Sequence, residues 1–309
     1  MLKLPKVLFI IGQTASGKTA LSLDLAKKFN GAIINADSRQ VYKKMNIVTA
    51  KPPRDLKSPK SEYLVEGIKH YLIDICDPGQ PFTLADFKKQ AKESIKIILE
   101  NGQLPIVVGG TGLYIWSLVD NLDIPAVAPN KKLRDSLEEK SLADLVKLLK
   151  NVDLQTAEKI DLKNKRRVLR ALEVVLSSGE SFAKQATKSE LIYNSLQIGL
   201  HWKREEIFKR VEDRIDEQMK VGAVEETKEL LKNYPSNLPS LSSVGYKQIG
   251  TFLRGECALE EAILQFKRDT RHYAKRQETW FKRDARIKWI EKNDIQAAEK
   301  LVKDFLIVQ

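Results

Sequence analysis

The sequence predicts an α/β fold, a parallel sheet interrupted by an all-helical insertion, on three observations. The apolar run Val7-Leu8-Phe9-Ile10-Ile11 ends in Gly12-Gln13-Thr14-Ala15-Ser16-Gly17-Lys18-Thr19, which opens the helical pattern Ala20 to Ala26. Short β-rich runs then alternate with helical patterns, as right-handed crossovers of a parallel sheet require. Between about Leu118 and Tyr193 the strand signal disappears, and afterwards it returns.

The octet fits the phosphate-loop pattern G-x-x-x-x-G-K-[ST] in its required strand, loop and helix context, so the core is expected to be of the phosphate-loop NTPase type. Gly12 and Gly17 let successive N–H groups turn inward toward the positive end of the helix, a pocket for a di- or triphosphate. Lys18 supplies a point charge for a terminal phosphate and the Thr19 hydroxyl a ligand for Mg²⁺. The loop does not say which phosphate compound it holds.

The remaining strands are expected at Ala32 to Ala36, Tyr71 to Ile75, Leu104 to Val108 and Leu196 to His201, with a late edge strand near Ile287 to Ile290. The insertion reads as helices over Asn130 to Lys150, Asp153 to Ile160, Lys163 to Ser177 and Phe182 to Lys188, entered past Pro125 and Pro129. The expected division is residues 1–117 and 196–309 for the core and 118–195 for the insertion. Pro235 and Pro239 punctuate a later loop leading to Val244-Gly245-Tyr246-Lys247-Gln248.

Composition narrows the classes. The 309 residues suffice for two units. No apolar run approaches the ~20 residues of a membrane span, and the start of the chain leads directly into the first strand, so the expected compartment is the cytosol. Cys76 and Cys257 form no CxxC pair and only three histidines are present, which excludes the usual structural zinc patterns. A formal charge of +12 suits an anionic polymer partner.

A second constellation, Ile33-Ile34-Asn35-Ala36-Asp37-Ser38-Arg39-Gln40-Val41-Tyr42, is an apolar strand ending in an acid and polar groups. In a parallel sheet the ends of the first two strands share an edge, so Asp37 is expected beside the phosphate loop. Three roles are open to it: outer-shell Mg²⁺ ligand, general base, or helix cap. A third strand runs into Gly109-Gly110-Thr111-Gly112 on that edge, where glycine permits close backbone approach and Thr111 offers a hydroxyl.

Several motifs together resemble the tRNA dimethylallyltransferase family, and their order is that family's. They are the phosphate loop, Asp37 to Tyr42, Thr49-Ala50-Lys51-Pro52, Leu72-Ile73-Asp74, Asp77-Pro78, Val108 to Tyr114, Arg170-Ala171-Leu172-Glu173-Val174, Val244 to Gln248 and Lys275 to Phe281. The resemblance covers nearly the whole chain. It implies transfer of a prenyl group from dimethylallyl diphosphate to the exocyclic amine of the adenosine just 3′ of a tRNA anticodon, by a monomer. It further implies Asp37 as general base, Thr19 as the contact to Mg²⁺ and diphosphate, and Gly12 through Thr19 with Arg214 as the diphosphate site. Residues Asp37, Ser38, Arg39, Gln40, Thr111, Arg134, Arg166, Arg167, Arg170 and Lys275 are the expected tRNA contacts. Lys44-Met45-Asn46-Ile47-Val48-Thr49-Ala50-Lys51 departs from the common Gly-Met-Asp-Ile-Gly-Thr-Ala-Lys, which leaves the backbone path there open. Likewise Gln13 replaces a usual proline, and His70-Tyr71 stands where two histidines are frequent.

Lys163, Lys165, Arg166, Arg167 and Arg170 open one insertion helix without an acid. Cations there oppose the helix dipole, so RNA phosphate or a solvated basic face must accommodate them. Along Lys267 to Lys288 cations recur at helical intervals. There Phe266, Tyr273, Trp280 and Phe281 read as packing. Two other classes share the loop: a small-molecule or nucleoside kinase, which would consume ATP, and an RNA-binding nucleotide switch, for which no N-K-x-D run is present.

Overall fold

The computed structural model describes residues 4–125, 127, 130–185, 189–292 and 294–307. β1 (Lys6–Ile11) leads into α1 (Lys18–Lys28) and β2 (Gly31–Asn35). A hairpin of β3 (Tyr63–Val65) and β4 (Ile68–Tyr71) follows, then α2 (Leu84–Glu100), β5 (Leu104–Gly109) and α3 (Gly112–Val119). Next come α4 (Lys131–Glu138), α5 (Leu142–Val152), α6 (Leu154–Lys159), α7 (Lys165–Ser178) and the single turn α8 (Phe182–Gln185). β6 (Asn194–His201) resumes the sheet before α9 (Arg204–Lys220), α10 (Ala223–Asn233), α11 (Tyr246–Leu253), α12 (Leu259–Phe281), β7 (Lys288–Glu291) and α13 (Ile295–Ile307).

The chain divides into one unit of Met1–Leu118 with Ile192–Gln309 and a second of Val119–Leu191. The sheet of the first unit runs β3-β4-β2-β5-β1-β6-β7 and is parallel except for β3 against β4. β1 and β5 are continuous apolar runs because helices cover both faces. One layer buries Leu8, Ile10, Ile33, Ile106 and Ile198. A separate cluster buries Val41, Met45, Val211, Ile215 and Phe266 around the segment after β2.

Two expectations need correction. The strand expected over Tyr71 to Ile75 lies at Ile68–Tyr71, because Leu72 and Asp74 take left-handed φ values of 59° and 57°. This turn is held elsewhere: Asp74 N donates to Gln40 O, Ile75 N to Val41 O, and the Asp74 carboxylate pairs with buried Lys51 at 2.7 Å. The missed partner strand β3 reverses through Glu66-Gly67, both at positive φ, with their amides on the Asp55 carboxylate at 2.9 and 2.8 Å. The helix expected over Asn130 to Lys150 is two, since the Ser141 hydroxyl accepts from Asp144 N and starts α5 afresh. Helix is present from Phe182 to Gln185, while the expected continuation through Lys188, like Pro129, lies outside the described residues. The second unit buries Leu137, Leu145, Leu149, Val168 and Leu172 in its own core. No helix among the described residues is long and apolar enough to cross a membrane.

Candidate active site

The carboxyl ends of β1, β5 and β2 carry the phosphate loop, the Gly109-Gly110 turn and Asp37 in that spatial order. β5 separates the two functional strands, and Gly109 makes this possible. A Cβ there would stand 2.2 Å from Ala36 O. Ala36 N donates to Val108 O at 2.7 Å and Thr111 N to Ala36 O at 3.3 Å, so the end of β2 is tied to the turn after β5.

In the phosphate loop the carbonyls are engaged from outside the cradle. Arg210 Nε donates to Ala15 O at 2.8 Å and the indole of Trp202 to Ser16 O at 2.9 Å. The Arg210 guanidinium stacks on the same indole, 4.4 Å from its ring centre. Gly17 takes φ +93° at the start of α1, a conformation that costs other residues about 1–2 kcal/mol. Two cations face the cradle. Lys18 Nζ folds back on Gln13 O at 2.5 Å, and Arg214 Nη2 donates to Thr14 Oγ1 at 2.5 Å. Arg214 Nε is buried without a partner, a donor for an anion. Burial pulls the Lys18 ammonium down to about 7, the Arg214 charge adding to the effect and Asp37 opposing it. Burial also lowers Arg214, with Asp37 countering and Arg210 reinforcing that shift. The crowding of positive charge therefore favours an incoming anion.

These groups line a cleft of about 540 Å³ that holds Thr14 to Ala20, Asp37, Arg210, Asp213 and Arg214 together with apolar Ile33, Ile73 and Val108. A second cavity of about 310 Å³, walled by Val48, Val244, Phe266 and Tyr273, shares Thr14, Asp37, Thr49 and Arg214 with it. Asp37 thus faces both spaces. Its carboxylate accepts from Arg39 N at 2.8 Å and Gln40 N at 3.3 Å, so the capping turn and the cleft position coexist. Ser38 N donates to Thr111 Oγ1 at 3.1 Å, and Thr111 also hydrogen-bonds Tyr273. Burial, with the Asp37 charge, raises the Tyr273 phenol well above its ordinary value.

Other expected site residues are engaged in holding the protein together. Arg39 donates to Pro239 O at 2.9 Å, and the Gln40 amide to Thr49 O and Ala50 O at 3.0 and 3.1 Å. In the second unit Arg134 and Arg170 clamp the fully buried Glu173 at 2.7 and 2.6 Å, and Lys165 caps the end of α4 through Glu138 O and Lys140 O. Burial works to raise the Glu173 carboxyl, yet the hydrogen bonds from Arg134 and Arg170 hold it below its ordinary value. Arg166 and Arg167 are exposed, as is Lys275 on α12. On α12, Lys267, Arg271 and Lys282 pair with Asp216, Glu212 and Glu278. Phe266 and Phe281 are packing, and Trp280 packs at 4.6 Å on Trp116. Tyr273 lines the smaller cavity, as does the edge of buried Phe266.

The path around Lys44 to Val48 is held by two side chains, the Gln218 amide donating to Ile47 O and Val48 O at 2.6 and 3.2 Å and the Glu226 carboxylate taking the amides. Glu226 accepts from Asn46 N, Ile47 N and Val48 N at 2.8, 2.7 and 3.1 Å and from the Tyr246 hydroxyl at 2.7 Å. Lys44, where the common pattern has glycine, takes φ +63°. No spacing or composition in the sequence points to Glu226, because three of these four partners are backbone amides 178 to 180 positions away. Gln277, within Lys275 to Phe281, likewise binds main chain at Thr14 and Gly110, which its motif does not reveal.

Fold and cradle together define a phosphate-loop α/β protein with an acid set against its anion site. The chain belongs to the IPP transferase family, whose profile matches residues 40–284. It is 42% identical over 306 residues to a tRNA dimethylallyltransferase of Acetivibrio thermocellus, covering 96% of this chain and 95% of that protein. A relative of the same name from Anoxybacillus flavithermus is 39% identical, covering 97% and 95%. Among solved structures, the full-length tRNA isopentenylpyrophosphate transferase of Bacillus halodurans superposes with TM-score 0.69 at 35% identity over 97% of this chain and 94% of that one. A eukaryotic dimethylallyltransferase acting on tRNA gives TM-score 0.78 at 30% identity, covering 98% and 78%.

Proposed function

We propose that this protein transfers the dimethylallyl group of dimethylallyl diphosphate to the N6 amine of the adenosine 3′-adjacent to a tRNA anticodon. The observation that carries the reading is the shared position of Asp37, between a cleft built on the phosphate loop and a second cavity of mixed polar and apolar lining. In this reading the loop amides, Lys18 and Arg214 bind the diphosphate and stabilise the charge it acquires as the C–O bond breaks. Asp37 takes the amine proton as the C–N bond forms. Such assistance is worth about 10²–10⁴-fold, and an aromatic amine needs it because its lone pair is delocalised. The adenine must leave its stack, at a cost of a few kcal/mol that is smallest in a loop.

The oxygen donors available at the cradle are the exposed Thr19 hydroxyl, Asp37 and Asp213. Among the described residues no cluster of three or more His, Cys, Asp or Glu gathers. This donor set fits Mg²⁺, which takes most of its ligands from phosphate and water. Thr19 would hold it, and when bound it would neutralise charge on the diphosphate. For tRNA we assign Ser38, Arg39, Gln40 and Thr111 to the acceptor side of the cleft, and the exposed Arg166, Arg167 and Lys275 to phosphate contacts, whereas Arg134 and Arg170 are taken up by Glu173. Phosphate loop, acid and Arg214 all come from one chain, so one chain suffices to form the site and we assign a monomer, and the tRNA substrate supports a cytosolic place of action.

Mass spectrometry of unmodified tRNA incubated with the protein, Mg²⁺ and dimethylallyl diphosphate tests the proposal. One C5 unit gained on the nucleoside beside the anticodon is the expected result. No gain, or consumption of ATP with a phosphorylated small product, would refute it.

A further inference from the structure

Resting on that reading, we infer that Gln277 is a positioning residue that sets the diphosphate loop and the acid-bearing turn in one register. Its side chain is 5% exposed and both ends of its amide are engaged. The oxygen accepts from Thr14 N at 2.7 Å, within the phosphate loop, and the nitrogen donates to Gly110 O at 2.9 Å, in the turn after β5. One amide thus joins two backbone segments about a hundred residues apart in sequence, neither of which belongs to its own helix.

The bridge extends in both directions. On the loop side, the Gln13 amide donates to Ala274 O at 3.2 Å, a second tie between loop and α12. On the turn side, Gly110 precedes Thr111, which accepts from Ser38 N beside Asp37 and hydrogen-bonds Tyr273, one helical turn before Gln277. A Cβ at Gly110 would stand 2.1 Å from the Gln277 nitrogen, so the turn is shaped to admit this side chain. The acid sits on β2 and the loop on β1, and these strands do not pair. α12 therefore supplies a connection across the site that the sheet supplies only through β5.

The chemistry needs this register because leaving group and base act on opposite partners of one forming bond, and a displacement near 1 Å can cost about 10²-fold. Loss of the bridge is expected to act on turnover with both substrates bound, and not on the binding of either.

Gln277→Met retains length and removes both hydrogen bonds. The expected result is a kcat at least about 10-fold lower at saturating donor and tRNA, with KM values and the Kd for inorganic diphosphate changed by less than about 3-fold. Gln277→Glu keeps the acceptor for Thr14 N and loses the donor to Gly110 O. It is read by the same split, and carries the test alone if the Met variant does not fold. An unchanged kcat in the folded variant overturns the inference. So does a loss of kcat matched by an equal loss of diphosphate affinity, which would mark a direct ligand contact. The wild-type protein is run in parallel: absence of prenyl transfer there refutes the proposed function instead, and is thereby told apart.

Discussion

Lys18 Nζ lies 2.5 Å from Gln13 O, so the lysine of the phosphate loop is folded onto the loop itself. With its ammonium at about 7, below the ordinary lysine value, the folded protein bears a cost of charging it. That cost grows as pH falls from about 10.5 to 7 and is constant below. A bound anion reverses the preference. Inorganic diphosphate affinity should therefore fall as pH rises above 7, with proton uptake on binding at pH 8 exceeding that at pH 6. Calorimetry in buffers of different ionisation enthalpy measures this. Lys18→Met should weaken binding and remove the excess uptake.

Asp37 accepts two backbone amides as well as facing the cleft, and Asn can keep the former role while losing the latter. Asp37→Asn is expected to bind diphosphate and tRNA as the wild type does, and to lose at least about 100-fold in kcat. Single-turnover assays at saturation measure the loss. Binding that falls in step with turnover would make the residue a scaffold or a metal holder.

Lys44 holds a left-handed φ, which costs a non-glycine residue about 1–2 kcal/mol, whereas glycine's extra backbone entropy costs about 0.5–1. Lys44→Gly should accordingly raise stability by about 0.5–1 kcal/mol, seen as a higher denaturant midpoint with unchanged slope.

The arginines of the helical unit separate into two kinds. Arg166→Ala with Arg167→Ala should lower tRNA affinity and reduce the slope of log affinity against log salt by about 1.5, with an unaltered unfolding midpoint. Arg134→Ala removes a partner from buried Glu173 and should cost about 1–3 kcal/mol, observed by chemical denaturation.

Much of this architecture is readable from local pattern. The β1, β2 and β5 runs announce themselves because strands buried on both faces are continuously apolar, β6 shows itself by the alternation Leu196, Ile198, Leu200, and the octet after β1 carries its own geometry. Much of what local pattern does not give is determined by contacts distant in sequence, although the Ser141 cap that splits the first insertion helix is local. Residues 72 to 75 look as extended as any strand until the buried Lys51 ion pair with Asp74 and the carbonyls of Gln40 and Val41 bend them away. Arg170 and Arg134 look like a basic face, and only the fold brings Glu173 between them. The roles of Gln277 and Glu226 are not legible in the sequence because what they hold is main chain, which leaves no trace in side-chain identity.

Glu226 touches the 46–48 segment through amide hydrogens alone, and every amino acid except proline presents one of those. This carboxylate therefore holds residues 46 to 48 without regard to which side chains they carry, and of the three only Val48 reaches the lining of the smaller cavity. A change of side chain at position 48 thus alters the lining of that cavity and leaves the amide bonds to Glu226 in place.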